Sequence, residues 1–230
     1  MLAENLQEVR AEIEAAARRA GRNPEDVLLL AVTKTHPVAV VREAIAAGLT
    51  ELGENRVQEL LEKQAQITDP VRWHLIGHLQ TNKVKNVVGR VAFIHSVESL
   101  RLAEEISRKA VALGLVQNVL VELNMAGEES KFGIKPEECR AFLRQIAPLP
   151  GLKVKGLMTV APFVEDPERN RVYFRQMREL SVDIAAEKLD NVDMEHLSMG
   201  MSNDFAVAVE EGATIVRVGT RLFGERTYPV

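Results

Sequence analysis

Short apolar runs alternate with amphipathic stretches along almost the whole chain. The clearest run is Val27–Thr33, apolar, β-branched or Ala at every position, followed at once by Lys34 and by Pro37. A run this short and this apolar predicts a strand buried on both faces, as in a parallel sheet. Before it, Leu2, Leu6, Val9, Ile13 and Ala16–Ala17 mark one stripe of a helix over Leu2–Ala20, stopped by Gly21 and the Asn23-Pro24 turn. After it, a helix over Val38–Ala47 ends at Gly48. Further strands are predicted at Glu51–Leu52, Trp73–Ile76, Val91–Ile94, Asn118–Leu123, Val154–Thr159, Met194–Ser198 and Ile215–Val218. Helices are predicted between them at Val57–Gln66, near Lys83–Val87, and at Leu100–Leu113, Glu137–Ile146, Glu168–Lys188 and Phe205–Glu211. Met199-Gly200-Met201 reads as a loop, with Ser202-Asn203-Asp204 as an N-cap for the helix behind it.

Eight strands, each paired with a helix at spacings of roughly 25 residues, give an α/β chain with the count and length of a (β/α)8 TIM barrel, carrying an extra N-terminal helix. An open, doubly wound sheet alternates in the same way and is the alternative. It lacks its usual nucleotide loop here, since neither GxGxxG nor GxxxxGK[ST] is present. No Pro/Ser-rich linker or low-complexity segment divides the chain, so residues 1–230 are expected to form a single domain.

Composition narrows the functional classes. Lys and Arg number 29 against 33 Asp and Glu, a net charge of −4, so no global field draws the chain to nucleic acid or an acidic membrane. The one cysteine, Cys139, excludes an internal disulfide framework and suits a reducing compartment. No apolar run approaches membrane-spanning length, and the amphipathic, acid-containing N-terminus is neither a secretory signal nor a typical transit peptide. A soluble cytoplasmic protein is expected.

The polar residues carry the functional signal by their positions. Lys34, Asn55, His78, His95-Ser96, Asn124, Thr159, Ser198 and Arg217-Gly219-Thr220 all fall at or just past the carboxyl ends of predicted strands. In a barrel those ends converge on one mouth. Met199-Gly200-Met201-Ser202 runs into a helix start and Gly219-Thr220 follows the last strand, both suited to a phosphate. Taken singly, each Gly is an ordinary turn and Lys34 an amine that snorkels to solvent. Taken together they describe an anion site beside a reactive amine. A phosphorylated aldehyde held there could form a Schiff base with Lys34, and pyridoxal 5′-phosphate (PLP) is the obvious candidate. Arg217 could lie near its pyridine nitrogen, or pair with a neighbouring carboxylate. No metal site is expected: His74 and His78 lie in a strand and Gly turn and lack HExxH.

The combination A-V-T-K (31–34), E-L-G-E-N-R-V-Q-E (51–59), W-H-L-I-G-H-L-Q-T-N-K (73–83), S-V-E-S-L (96–100), S-K-F-G (130–133), G-L-M-T (156–159), L-S-M-G-M-S-N-D-F (197–205) and R-V-G-T-R-L-F-G (217–224) resembles the PLP homeostasis protein family. That family is similar to the N-terminal barrel of alanine racemase. The resemblance covers residues 30 to 224 and implies PLP held on Lys34 as an internal aldimine, with Asn55 beside it. It implies phosphate contacts from the Ser198–Ser202 loop (Ser198, Met199, Gly200, Ser202) and from Gly219 and Thr220, and Arg217 by the pyridine nitrogen. Either Ser198 or Ser202 could meet the phosphate. The implied role is a carrier or buffer of PLP in vitamin B6 and amino-acid balance, with apo PLP-dependent enzymes as possible recipients. The alternative is a weak racemase or lyase. Alanine racemase takes its second acid/base, a tyrosine, from an added domain. Here Glu225–Val230 alone follow the last strand, and Tyr173 and Tyr228 are poorly placed, so efficient racemisation and a racemase-type dimer are not expected, and a monomer is.

Overall fold

The computed structural model describes residues 1–224; the Glu225–Val230 tail, with Tyr228, lies outside the described residues. The strands are β1 (Leu28–Val32), β2 (Glu51–Glu54), β3 (Arg72–Leu75), β4 (Phe93–Val97), β5 (Gln117–Leu123), β6 (Leu152–Thr159), β7 (Val192–Met201) and β8 (Ile215–Val218). They pair in parallel and in chain order, and β8 returns to β1, closing the barrel. The helices are α1 (Leu2–Arg19), α2 (Val38–Ala46), α3 (Val57–Gln64), α4 (Leu100–Ala112), α5 (Cys139–Ile146), α6 (Arg171–Ala186), α7 (Phe205–Glu210) and α8 (Thr220–Phe223). The helix expected near Lys83–Val87 is a 3-10 helix, Thr81–Asn86. Its one buried side chain, Val84, gives it no stripe with which to hold an α-helix against the barrel.

Two apolar layers follow from strand alternation. Ala31, Leu52, Val121, Leu157 and Val216 point outward into the layer beneath the helices. Leu30, Phe93, Leu120, Met158 and Ile215 point inward and meet inside the barrel. The inward rows continue toward the carboxyl-terminal mouth as Lys34 after Leu30, His95 after Phe93, Glu122 after Leu120 and Arg217 after Ile215. The inward rows therefore turn polar toward the mouth, and the apolar cluster beneath them also holds His74, fully buried and stacked on Phe93.

Three expectations shift. His95 and Ser96 are not strand ends but lie within β4, fully buried, because the barrel supplies their partners: His74 and Ser198 for His95, the Gly77 carbonyl for Ser96. The expected loop Met199-Gly200-Met201 is the last part of β7. Gly219 leads straight into the single turn α8. The extra N-terminal helix α1 packs outside the barrel against α7 and α8.

Candidate functional site

Lys34 is half-buried and leaves β1 on the inward row. Its neighbours are pinned from both sides. Thr33 Oγ1 donates to Glu54 Oε1 at 2.5 Å, and the Thr33 carbonyl accepts from Lys63 Nζ at 2.6 Å. Lys63, 4% exposed, also reaches Glu54 at 2.7 Å and Glu59 at 2.8 Å. Thr35 takes φ +68°, an uncommon conformation for a β-branched residue, and its N–H donates to Glu59 Oε1 at 2.5 Å. Burial raises the Glu54 carboxyl above its usual range, against the opposing pull of Lys63 and Thr33. Strain and buried charge thus concentrate on the two residues flanking Lys34.

Across the mouth, Ser202 Oγ accepts from the Gly219 N–H at 3.2 Å and the Arg221 N–H at 3.4 Å. Asp204 turns back rather than capping α7 forward: Oδ1 accepts from Met201 N–H at 2.7 Å and Oδ2 from Asn170 Nδ2 at 2.8 Å. These contacts hold the ends of β7 and β8 together. Between them and Lys34 lies a cavity of about 320 Å³, lined by Lys34, Asn55, Ser202, Arg217, Gly219 and Thr220 among others.

Arg217 is 4% exposed, and among the described residues no carboxylate lies within ion-pair distance of it. Its Nη1 donates to Ser198 Oγ at 2.6 Å and its Nη2 to the Thr159 carbonyl at 2.8 Å. Burial pulls its pKa down to about 10, with Glu122 and Asp204 opposing, so it remains a cation at neutral pH. Asn55 Oδ1 is buried without a hydrogen-bond partner. Asn55 is fixed through its backbone, which lies so close to Gly77 that no side chain fits there. An amine, a buried unpaired cation and an orphaned amide oxygen around one cavity fit a ligand carrying an aldehyde, a ring-nitrogen acceptor and a donor.

The expected site residues separate into two groups. Lys34, Asn55, Ser202, Arg217, Gly219 and Thr220 line the cavity; Ser198, Met199 and Gly200 do not. Ser198 and Met199 are fully buried, Ser198 beneath Arg217. Gly200 has φ +90°, and a Cβ there would sit 2.6 Å from Ala208 Cβ and 2.9 Å from Phe205 Cα, so it lets β7 approach α7. Other strand-end residues serve the frame. Thr159 Oγ1 donates to Leu123 O at 2.8 Å, and Asn124 Nδ2 to Glu128 O at 2.8 Å. His78 pairs with Glu98 at 3.0 Å and stacks on Phe132 outside the cavity. Sequence reasoning missed Lys63, Glu54 and Glu59. The i,i+4 spacing of Glu59 and Lys63 was visible, but it reads as a solvated helix pair.

The fold and the cavity define a class. The family model of the alanine racemase N-terminal domain matches residues 5–227. Pyridoxal phosphate homeostasis proteins of Aquifex aeolicus and Pseudomonas aeruginosa are 50% and 43% identical to it, covering 98% and 99% of this chain and 98% and 96% of theirs. The solved structure of PipY of Synechococcus elongatus PCC7942 with PLP bound has a TM-score of 0.85 at 38% identity, covering 97% of this chain and all of PipY. The chain belongs to the pyridoxal phosphate homeostasis protein family, within that alanine racemase N-terminal class.

Proposed function

We propose that this protein binds PLP reversibly on Lys34 and acts as a carrier or buffer in vitamin B6 and amino-acid balance. The observation that carries the reading is the cavity in which Lys34 faces the buried, unpaired Arg217. The names of the relatives and the PLP held by PipY support it. Lys34 would condense with the cofactor aldehyde and release water; Ser202, Gly219 and Thr220 would meet the phosphate, and Asn55 would flank the ring. Bound PLP supplies an electron sink, which a cation at the ring nitrogen weakens by keeping it unprotonated. Arg217 is positioned to be that cation. Ser198, Met199 and Gly200 would contribute by shaping the frame rather than by touching the phosphate.

No tyrosine among the described residues lines the cavity, which favours holding over two-base racemisation. No helix among the described residues is long and apolar enough to cross a membrane. A single-domain cytoplasmic monomer that passes PLP to apo-enzymes completes the reading.

The test is the visible spectrum of the purified protein, before and after borohydride, with peptide mapping. A yellow band that reduction fixes on the Lys34 peptide, absent in Lys34→Ala, is expected. Handover to an apo-enzyme without turnover of D- or L-amino acids would then favour a carrier. A protein that stays colourless after incubation with PLP overturns the reading.

A further inference from the structure

A polar chain runs through the barrel interior beneath the cavity. At the amino-terminal end of β2, Glu51 is tied to Arg72 at 3.0 Å, and its other oxygen meets His74 Nε2 at 2.7 Å. His74 Nδ1 lies 2.9 Å from His95 Nε2, and His95 Nδ1 lies 3.0 Å from Ser198 Oγ. Ser198 Oγ accepts from Arg217 Nη1 at 2.6 Å. His74, His95, Ser198 and Arg217 are at most 4% exposed, and the chain reaches solvent at Glu51 and Arg72.

The geometry points to Glu51, His74, His95 and Ser198 as positioning residues that hold Arg217 against the cofactor ring through one directional chain of hydrogen bonds. The direction follows from chemistry at the two ends. The Glu51 carboxylate only accepts, so His74 carries its proton on Nε2 and leaves Nδ1 as an acceptor. His95 must then donate from Nε2, and its Nδ1 accepts the Ser198 hydroxyl proton. Ser198 keeps a lone pair for Arg217, which only donates. Every ring nitrogen is used once, and no other assignment satisfies all the links with both imidazoles neutral. Burial keeps both rings neutral: it lowers the pKa of His74, and with His74, Arg217 and His196 nearby it lowers that of His95 further.

Such a chain is an expensive way to fill a barrel. Apolar side chains occupy the neighbouring inward positions at Leu30, Phe93, Leu120 and Met158, and they fill space without polar desolvation. What apolar residues cannot do is orient a guanidinium. With Nη1 held by Ser198 and Nη2 by Thr159 O, the plane of Arg217 is fixed from below while it lines the cavity above. A satisfied network in low dielectric rigidifies what it touches.

The inference rests on the cavity being a PLP site, and its test separates the two. In cofactor-free protein, nitrogen-15 NMR should find His74 and His95 both as neutral Nε2–H tautomers. An Nδ1–H tautomer or an imidazolium at either overturns the chain. In PLP-loaded protein, Ser198→Ala and Glu51→Leu should release PLP faster by about tenfold or more, the loss typical when the orienting partner of a ligand is removed. They should also shift the visible band. Glu51→Gln, which keeps an acceptor for His74, should restore wild-type tautomers, band and release. Leu120→Ala controls for stability: it opens a hole in the same interior but should leave band and release unchanged. Wild-type band and release in both Ser198→Ala and Glu51→Leu overturn the positioning role and leave the PLP reading standing. A wild-type protein that takes up no PLP overturns both.

Discussion

At Lys34 the backbone is held on each side by charges that the sequence places elsewhere, with Glu54 from β2 and Glu59 and Lys63 from α3 gathered on Thr33 and Thr35. The Lys34 amine is thereby presented by a rigid strand end rather than a free loop. Glu122 offers a test at the same scale. It lies on the inward row of β5, 7% exposed, and its pKa is pushed up to about 7 by burial and by Glu98, against the pull of Arg217. The native state keeps this proton to higher pH than the unfolded chain does. Stability contributed by Glu122 therefore falls as pH rises from about 4.5 to about 7. Glu122→Gln removes that fall. Urea unfolding should show the variant gaining on the wild type across this window by about 1–3 kcal/mol, at about 1.4 kcal/mol per unit. A constant difference between pH 5 and pH 8 would refute it. Lys34 and Arg217 were legible because an ionisable residue at the end of an apolar run is conspicuous. Lys63 and Glu122 were not, because what buries each charge, β1 and β2 packed over Lys63 and the closed barrel around Glu122, is not local in the sequence.

At the scale of elements, most strands were readable from an apolar run, though β2 (Glu-Leu-Gly-Glu) has none, and most helices from their stripes and Gly stops. The ends of β4 and β7 were misjudged for different reasons: in β4 the polar His95 and Ser96 continue the strand because the barrel supplies their partners, and in β7 Gly200 reads as a loop although its positive φ lets the strand run on to Met201. In β7 this matters for function. Its run to Met201 leaves Ser198 inside the strand, under Arg217, and of the two serines only Ser202 lines the cavity. Gly200 makes that path possible by its positive φ and by the space it yields to α7. Gly200→Ala should cost about 2 kcal/mol or more from strain and overpacking together. It should also weaken PLP retention, since Ser202 and Asp204 follow directly. Thermal melts and dialysis against buffer check both; unchanged values would show that β7 tolerates another path.

For the whole molecule, α1 closes the outside of the barrel where its last elements meet its first. Asn5 Nδ2 donates to Leu222 O at 3.0 Å, Arg221 pairs with Glu12 at 2.8 Å, and Leu6, Val9 and Ile13 are buried beneath. Because α8 starts at Thr220 on the cavity wall, this packing supports the site from behind. Leu6→Ala should destabilise the protein by about 2–5 kcal/mol in urea unfolding. A variant as stable as the wild type would mean that α1 lies outside the cooperative unit. At this scale the sequence by itself determined the number and order of the strands, the barrel class and a lysine at its mouth. All of these follow from local periodicity and from where an apolar run stops. Tertiary structure alone decided which serine faces the cavity, which charges are buried around Lys34, and that two histidines, a serine and a glutamate line up beneath Arg217. Those facts depend on register around a closed sheet, where residues over a hundred positions apart become neighbours.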